Sequence, residues 1–248
     1  MQQSTEHIDY LFVPIGGGGL AAGIGACLHQ LSPDTKIIGV EPAGAASMRA
    51  AFDKGEVVEL DNIDKFVDGA AVRKVGSYTY PICREVLDDV ISVPEGAVCT
   101  TILDLYNRNA IVVEPAGALS ITALRFYADK IKGKNVVCVV SGSNNDITRT
   151  EEIREKSLLY KGLMHYFVIR FPQRPEALLS FIRDVLGPND DIVYLSYTKK
   201  IHKEKGPAVI GIELAEPGDY DLLIKRMEEQ GICYEYLNRQ QYLFEFIV

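Results

Sequence analysis

Apolar residues fall in short runs bounded by turn residues over the first part of the chain, and their rhythm changes after Leu163. Asp9–Ile15 and Lys36–Val40 are apolar stretches closed by turn residues, the pattern of strands buried on both faces of a parallel sheet. Between them, Leu20–Leu31 has helical spacing and stops at Ser32-Pro33-Asp34. Strand, glycine turn, helix and strand in that order predict a right-handed βαβ unit. Further helices are predicted at Ala45–Lys54, Ser77–Leu87 (interrupted near Pro81), Glu95–Tyr106 and Pro115–Ile131. The last of these carries proline in its first turn, an accepted position. Val90–Val93 reads as a short strand and Asn135–Val140 as a β-branched, buried one. This alternation predicts an α/β layer structure with a parallel sheet.

Thr148–Leu159 is charged and helical in pattern, and after Leu163 the rhythm changes. Strands are expected at His165–Phe171, Ile192–Lys199, Ala208–Leu214, Ile232–Tyr236 and Tyr242–Ile247. Helices are expected at Pro175–Leu186 and Gly218–Gln230. The order β-α-β-β-α-β is the split-βαβ, ferredoxin-like arrangement. The expected division is a first domain over 1–150, a link over 151–161 and an α+β domain over 162–248. Val-Glu-Pro-Ala-Gly-Ala occurs twice, at Val40–Ala45 and Val113–Ala118. Its flanks do not repeat, so it reads as a shared strand-to-helix turn.

At 248 residues, 47% of them hydrophobic, the chain can bury a sizeable core. A net charge of −8 without a basic cluster argues against nucleic acid and anionic membrane as partners. No apolar run approaches the roughly 20 residues of a membrane span, and polar Met1–Ile8 does not read as a signal peptide. A cytoplasmic protein is expected. Cys27, Cys83, Cys99, Cys138 and Cys233 lack Cys-x-x-Cys spacing. Four have aliphatic neighbours and read as reduced core residues, so neither metal nor disulfides are indicated. His7, His29, His165 and His202 are scattered, with ordinary surface or core roles expected.

Candidate chemistry begins at Gly16-Gly17-Gly18-Gly19, between the first strand and the first helix. Glycine lets backbone N–H groups converge, and a helix starting there adds unpaired donors and the positive end of its dipole. That combination suits a phosphate; a flexible linker is the competing reading. Two ligands fit the run. Gly16, Gly18 and Ala21 satisfy the dinucleotide pattern G-x-G-x-x-A, with Glu41 ending the next strand as the ribose-binding acid. A single phosphate monoester, such as that of pyridoxal phosphate, is the other. Ser141-Gly142-Ser143-Asn144 also follows a predicted parallel strand and should open on the same sheet edge. Alone it reads as an ordinary turn. Beside the glycines it offers a neutral hydroxyl to a pyridine nitrogen, which favours the monoester.

Phe12–Leu20, Val40–Gly44, Phe66–Val72, Val113–Ala118 and Val140–Asn144 together resemble pyridoxal-phosphate enzymes of fold type II. Within that class they resemble the biosynthetic threonine ammonia-lyases, in order over nearly the whole chain. The final part is similar to the ACT-like regulatory domain of those enzymes. The resemblance implies a partial doubly wound parallel sheet followed by a ferredoxin-like domain, and pyridoxal 5'-phosphate as cofactor. It implies that Gly16, Gly17, Gly18, Gly19 and Leu20 hold the phosphate and that Ser141 meets the pyridine nitrogen. The implied reaction converts threonine, and by extension serine, to a 2-oxo acid and ammonia. Glu114 would lie near the ring, or serve as a helix-start carboxylate.

Departures from the family pattern matter as much. The family's Schiff-base lysine lies in a Ser-x-Lys-x-Arg-Gly-Ala stretch upstream of the glycines, and no such stretch occurs here. Lys74 has the wrong neighbours and reads as a surface residue. The chain therefore looks like the C-terminal part of such an enzyme, expected to be inactive alone and to work with an N-terminal complement or as a homo-oligomer. Some fold type II enzymes bind a divalent cation through a Glu-Pro turn with an acid six positions on; here that position is Ser47, so no metal is expected. Arg174-Pro175-Glu176-Ala177-Leu178 resembles the ACT turn that binds an amino acid such as isoleucine or valine. Glu176 replaces its glycine, and side-by-side pairing of subunits is ranked ahead of effector binding there. A non-catalytic amino-acid sensor and a nicotinamide-dependent Rossmann enzyme are the competing functions.

Overall fold

The computed structural model describes residues 6–172, 176–197, 205–240 and 244, and the chain divides into two compact units, Met1–Ser157 and Leu158–Val248. In the first, β1 (Tyr10–Pro14) runs into α1 (Gly19–Leu31) and β2 (Lys36–Pro42). A 3-10 turn at Ala43–Ala45 leads to α2 (Ser47–Lys54), then α3 (Thr79–Val86), β3 (Asp89–Val93), α4 (Glu95–Asn109), α5 (Pro115–Ile131) and β4 (Val136–Cys138). The four strands form one sheet in the order β3-β2-β1-β4, and every pairing is parallel.

Alternation along β1 divides the core. Leu11 and Val13 pack with α1, α2 and α3 through Ala21, Met48 and Cys83. Phe12 faces the other way, with Val98 of α4 and Leu119 of α5. Phe12, Ile38 and Leu119 are fully buried, each contributing about 1.5–3 kcal/mol of transfer free energy. This is a doubly wound α/β layer structure.

Several local expectations are corrected. Pro81 does not interrupt α3; it is the third helical residue, where a backbone N–H has no intrahelical partner to lose. Asn135–Val140 is not a buried strand. Its paired part is Val136–Cys138, half-exposed, with Val137 at 37% and Val140 at 47% exposure. Among the described residues β4 has a strand neighbour on one side, β1, so β-branched composition did not translate into burial. Of the cysteines only Cys83 and Cys99 are buried; Cys138 is half-buried, Cys27 and Cys233 are exposed, and all five are free thiols. Aliphatic sequence neighbours do not decide which face of a helix a residue occupies: Ala21, Gly25 and Leu28 are the buried side of α1, and Cys27 lies off it.

A helix α6 (Thr150–Lys161) spans the unit boundary. The second unit holds β5 (Met164–Pro172), α7 (Ala177–Asp184), β6 (Asp191–Tyr197), β7 (Lys205–Glu213), α8 (Asp219–Glu229) and β8 (Tyr234–Tyr236). Its sheet is antiparallel in the order β6-β7-β5-β8, so β5 and β6 flank β7 and α7 crosses between them. That is the ferredoxin-like split βαβ. Phe167, Ile169 and Phe171 face Phe181 of α7 and Leu223 and Met227 of α8; Tyr166 faces the other way with Tyr194 and Val209. The expected strand Tyr242–Ile247 lies, apart from Phe244, outside the described residues, as do Arg174, Pro175 and His202. No helix among the described residues is long and apolar enough to cross a membrane.

His165, near the start of β5, is buried and bonded through both ring nitrogens. Nε2 lies 2.9 Å from the Gly162 carbonyl and Nδ1 2.9 Å from the Tyr236 hydroxyl, while Tyr220 stacks on the ring at 4.5 Å. A carbonyl can only accept, so Nε2 carries a proton, and in the neutral ring Nδ1 accepts from the Tyr236 hydroxyl. Burial holds its pKa below the ordinary 6.5. The unfolded chain therefore binds this proton first, and the second unit loses stability as pH falls below about 6.5. Urea midpoints of the second unit should drop between pH 7.5 and 5, and His165→Gln should flatten that slope.

Candidate functional site

β1 ends at Pro14, and the Ile15 N–H still reaches across to the Val40 carbonyl at 2.8 Å. The chain then turns through the glycines into α1. Gly18 is the N-cap with φ +90°, a left-handed conformation that favours glycine. A Cβ there would also sit 2.8 Å from Thr79 Oγ1 and 2.9 Å from Met48 Cε. No side chain caps α1 and no acidic residue lies in its first turn. The helix first bonds back from the Ala22 N–H to the Gly18 carbonyl at 2.9 Å. The N–H groups of Gly19, Leu20 and Ala21 have no intrahelical acceptor, and the positive end of the dipole lies with them.

Ser141 follows β4, the neighbour of β1. Phe12 pairs with Cys138, and the Val139 N–H reaches the Phe12 carbonyl at 2.9 Å. From β1 the chain crosses through α1 to β2 on one side, while β4 lies on the other. This is a topological switch point, where the carboxyl ends of two parallel strands leave a crevice. Gly16–Gly19, Leu20 and Ser141 line one cleft there, of about 210 Å³, together with Gly69, Ala70 and Glu114. The cradle fits an anion. A Cβ on Gly17 or Gly19 would meet open space, while one on Gly16 would lie 3.1 Å from Ala70 Cα.

Glu114 is the N-cap of α5, and its N–H points to the Gly142 carbonyl at 3.4 Å. Gly142 has φ +72°, and a Cβ on it would lie 2.2 Å from the Glu114 carboxyl carbon. The Ser141-Gly142 turn thus sits directly on the start of α5. Sequence reasoning gave no role to Arg149, which holds the Phe66–Asp68 stretch leading into Gly69-Ala70 of the cleft. Its guanidinium donates to the Phe66 carbonyl at 2.9 Å, lies 3.7 Å from the Asp68 carboxylate and stacks over the Phe66 ring at 4.9 Å. The one available signal was Phe66–Val72, a stretch with an Asp-Gly turn and no assigned role.

Other candidates fall elsewhere. Glu41 is fully buried and turned into α2, accepting from the Met48 and Arg49 N–H groups at 2.7 and 2.8 Å. It is not among the residues lining the cleft, so the acid required by the dinucleotide reading is committed to a helix end. Ser47 Oγ is buried with no hydrogen-bond partner among the described residues. Lys74 is exposed, in an isolated bridge with Glu59. Glu176 adopts φ +70° as N-cap of α7, the left-handed conformation expected of the glycine it replaces.

A parallel sheet whose switch point presents an uncapped helix N-terminus beside a serine turn defines a phosphate-ester cofactor-binding α/β protein. Residues 1–142 match the family model described as pyridoxal-phosphate dependent enzyme, and residues 155–247 match that of the C-terminal regulatory domain of threonine dehydratase. The chain belongs to the pyridoxal-phosphate dependent enzyme family. The biosynthetic L-threonine dehydratase of Halalkalibacterium halodurans is 55% identical over all of this chain and 60% of its own length. That of Bacillus subtilis is 56% identical over 96% of this chain and 57% of its own length. The chain thus spans about 60% of the length of the curated relatives it matches. Among solved structures, the processed form of threonine deaminase isoform 2 from Solanum lycopersicum has a TM-score of 0.60 at 38% identity, covering 63% of this chain and 46% of its own.

Proposed function

We propose that this chain is the cofactor-phosphate and regulatory portion of a threonine ammonia-lyase, which converts L-threonine to 2-oxobutanoate and ammonia. The observation that carries the proposal is the convergence of Gly16–Gly19, Leu20 and Ser141 on one cleft at adjacent strand ends. In this reading the first-turn N–H groups of α1 hold the phosphate, and Ser141 Oγ meets the pyridine nitrogen. Pyridoxal phosphate, when bound, supplies an electron sink for charge developing at the substrate α-carbon. A neutral hydroxyl at the nitrogen keeps that sink moderate, which suits loss of the threonine β-hydroxyl over transamination.

No described residue lining the cleft is a lysine. Turnover then needs a lysine from another polypeptide segment, and the chain alone is inactive in this reading. The test is equilibrium dialysis of the chain with pyridoxal phosphate and with NADH in parallel, followed by borohydride and a threonine assay. Saturable binding of pyridoxal phosphate, displaced by inorganic phosphate and without a reducible covalent adduct, is the expected result. Preference for NADH would overturn the cofactor reading, and threonine turnover by the chain alone would overturn the inactivity.

For the second unit we propose subunit pairing ahead of isoleucine or valine binding at Glu176-Ala177-Leu178. Two observations support that ranking. The sheet of this unit has β6 at one end of its strand order, and the carboxylate of Glu176 stands at the N-cap of α7, where an effector carboxylate would otherwise be received.

A further inference from the structure

We propose that Thr79 and Cys83 are positioning residues for the cofactor phosphate: from one face of α3 they hold the carbonyl side of the tetraglycine turn, so that its N–H side stays turned to the cleft. The inference rests on the phosphate reading above and adds residues that do not themselves line the cleft.

Thr79 and Cys83 are four apart on α3 and therefore share a face. Thr79 Oγ1 lies 2.6 Å from the Gly17 carbonyl, which also accepts from the Gly76 N–H at 3.1 Å. Cys83 Sγ lies 3.6 Å from the next carbonyl, that of Gly18. Burial pushes the Cys83 thiol up to about 11, so it keeps its proton for that carbonyl at neutral pH. Thr79 is also 3.1 Å from the Gly76 carbonyl, and its single proton serves the shorter contact.

The consequence follows from the peptide unit. In a planar trans peptide, the carbonyl of one residue and the N–H of the next point in opposite directions. Fixing the Gly17 carbonyl fixes the Gly18 N–H, and fixing the Gly18 carbonyl fixes the Gly19 N–H. Four glycines in a row otherwise have more freedom than any other sequence, and rotation of one peptide plane would aim a carbonyl oxygen at the anion. Together with the Gly76 and Ala22 amides on the same two carbonyls, Thr79 and Cys83 remove that alternative before the ligand arrives, which lowers the ordering cost of binding. The closeness of Thr79 to the missing Cβ of Gly18 shows how tightly the turn is held from this side.

The test uses the full 248-residue chain and its Thr79→Val, Thr79→Ser and Cys83→Ala variants. Pyridoxal phosphate and pyridoxal, which lacks the phosphate, are compared by equilibrium dialysis, with thermal unfolding recorded alongside. Loss of one hydrogen bond that orients a charged ligand corresponds to about a tenfold change. Thr79→Val should weaken pyridoxal phosphate about tenfold and pyridoxal less than about twofold, and Thr79→Ser should restore the parent value. Equal weakening of both ligands, or none, would overturn the proposal by reducing Thr79 to a structural role. If Thr79→Val fails to fold, Cys83→Ala decides: a loss of about threefold confined to pyridoxal phosphate supports the clamp, and no such selectivity rejects it. A parent chain that does not distinguish the two ligands would instead remove the phosphate reading, and this inference with it.

Discussion

A Gly117→Ala chain is expected to lose about 1–3 kcal/mol of stability and about tenfold in affinity for pyridoxal phosphate. Gly117 lies in the first turn of α5, and an ideal Cβ there would fall 2.0 Å from the Ser141 carbonyl oxygen and 2.7 Å from Val113 Cγ2. The first of these atoms is backbone, so no rotamer change relieves the clash. The turn after β4 has to move by more than an ångström, taking Ser141 with it. Alanine is favoured over glycine in a helix by at most about 1 kcal/mol, less than the overpacking cost, so the sign is destabilising. Gly23→Ala is the control. That residue sits inside α1, and its Cβ would meet nothing within 4 Å. It should be neutral or gain about 1 kcal/mol from helix propensity alone. Urea unfolding and pyridoxal phosphate dialysis on both variants check this. Unchanged cofactor affinity in Gly117→Ala would detach Ser141 from the ligand.

The twice-occurring Val-Glu-Pro-Ala-Gly-Ala marks where sequence reading stops. At Val40–Ala45 the hexapeptide completes β2 and enters a 3-10 turn, with its glutamate buried against the start of α2. At Val113–Ala118 it follows irregular chain, so the shared strand-to-helix reading fails for this copy; its glutamate holds the N-cap position of α5 without a side-chain capping bond, and its glycine is pressed on Ser141. Identical local residues cannot carry that distinction, because partners far away in sequence impose it. The same limit hid Arg149, whose contacts with Phe66 and Asp68 cross some eighty positions. Signals set by local rules were legible. Four glycines between an apolar run and a helix located the uncapped N-terminus, and the β-α-β-β-α-β order after Leu163 pointed to the ferredoxin-like arrangement. Burial of β4 was not legible, since it depends on the number of strands beside it and not on the valines within it.

Glu41 gives a pH response opposite in sign to that of His165. Its carboxyl is fully buried, and burial pushes its pKa from 4.5 up to about 7. Hydrogen bonds from the Met48 and Arg49 amides and the nearby Arg49 guanidinium favour the charged form, but the loss of hydration outweighs them. The Cys83 thiol also feels the Glu41 charge, and it stays protonated. A folded-state pKa above the unfolded one means that the folded chain holds a proton already released by the unfolded chain. The resulting stability is fully present below pH 4.5 and is lost as pH rises through 7. At about 1.4 kcal/mol per unit of pKa, the loss approaches about 3 kcal/mol. Because His165 acts in the second unit, the measurement must be local: hydrogen exchange at the amides of β1 and β2, between pH 5 and 7.5, corrected for intrinsic rates. Protection there should fall with pH in the parent and stay level in Glu41→Gln, whose side chain is uncharged throughout. Because Met48 of α2 lies against Gly18, affinity for pyridoxal phosphate should follow the same trend. Parallel curves for parent and variant would mean that Glu41 stays ionised in the folded unit, with the two amides of α2 outweighing its burial.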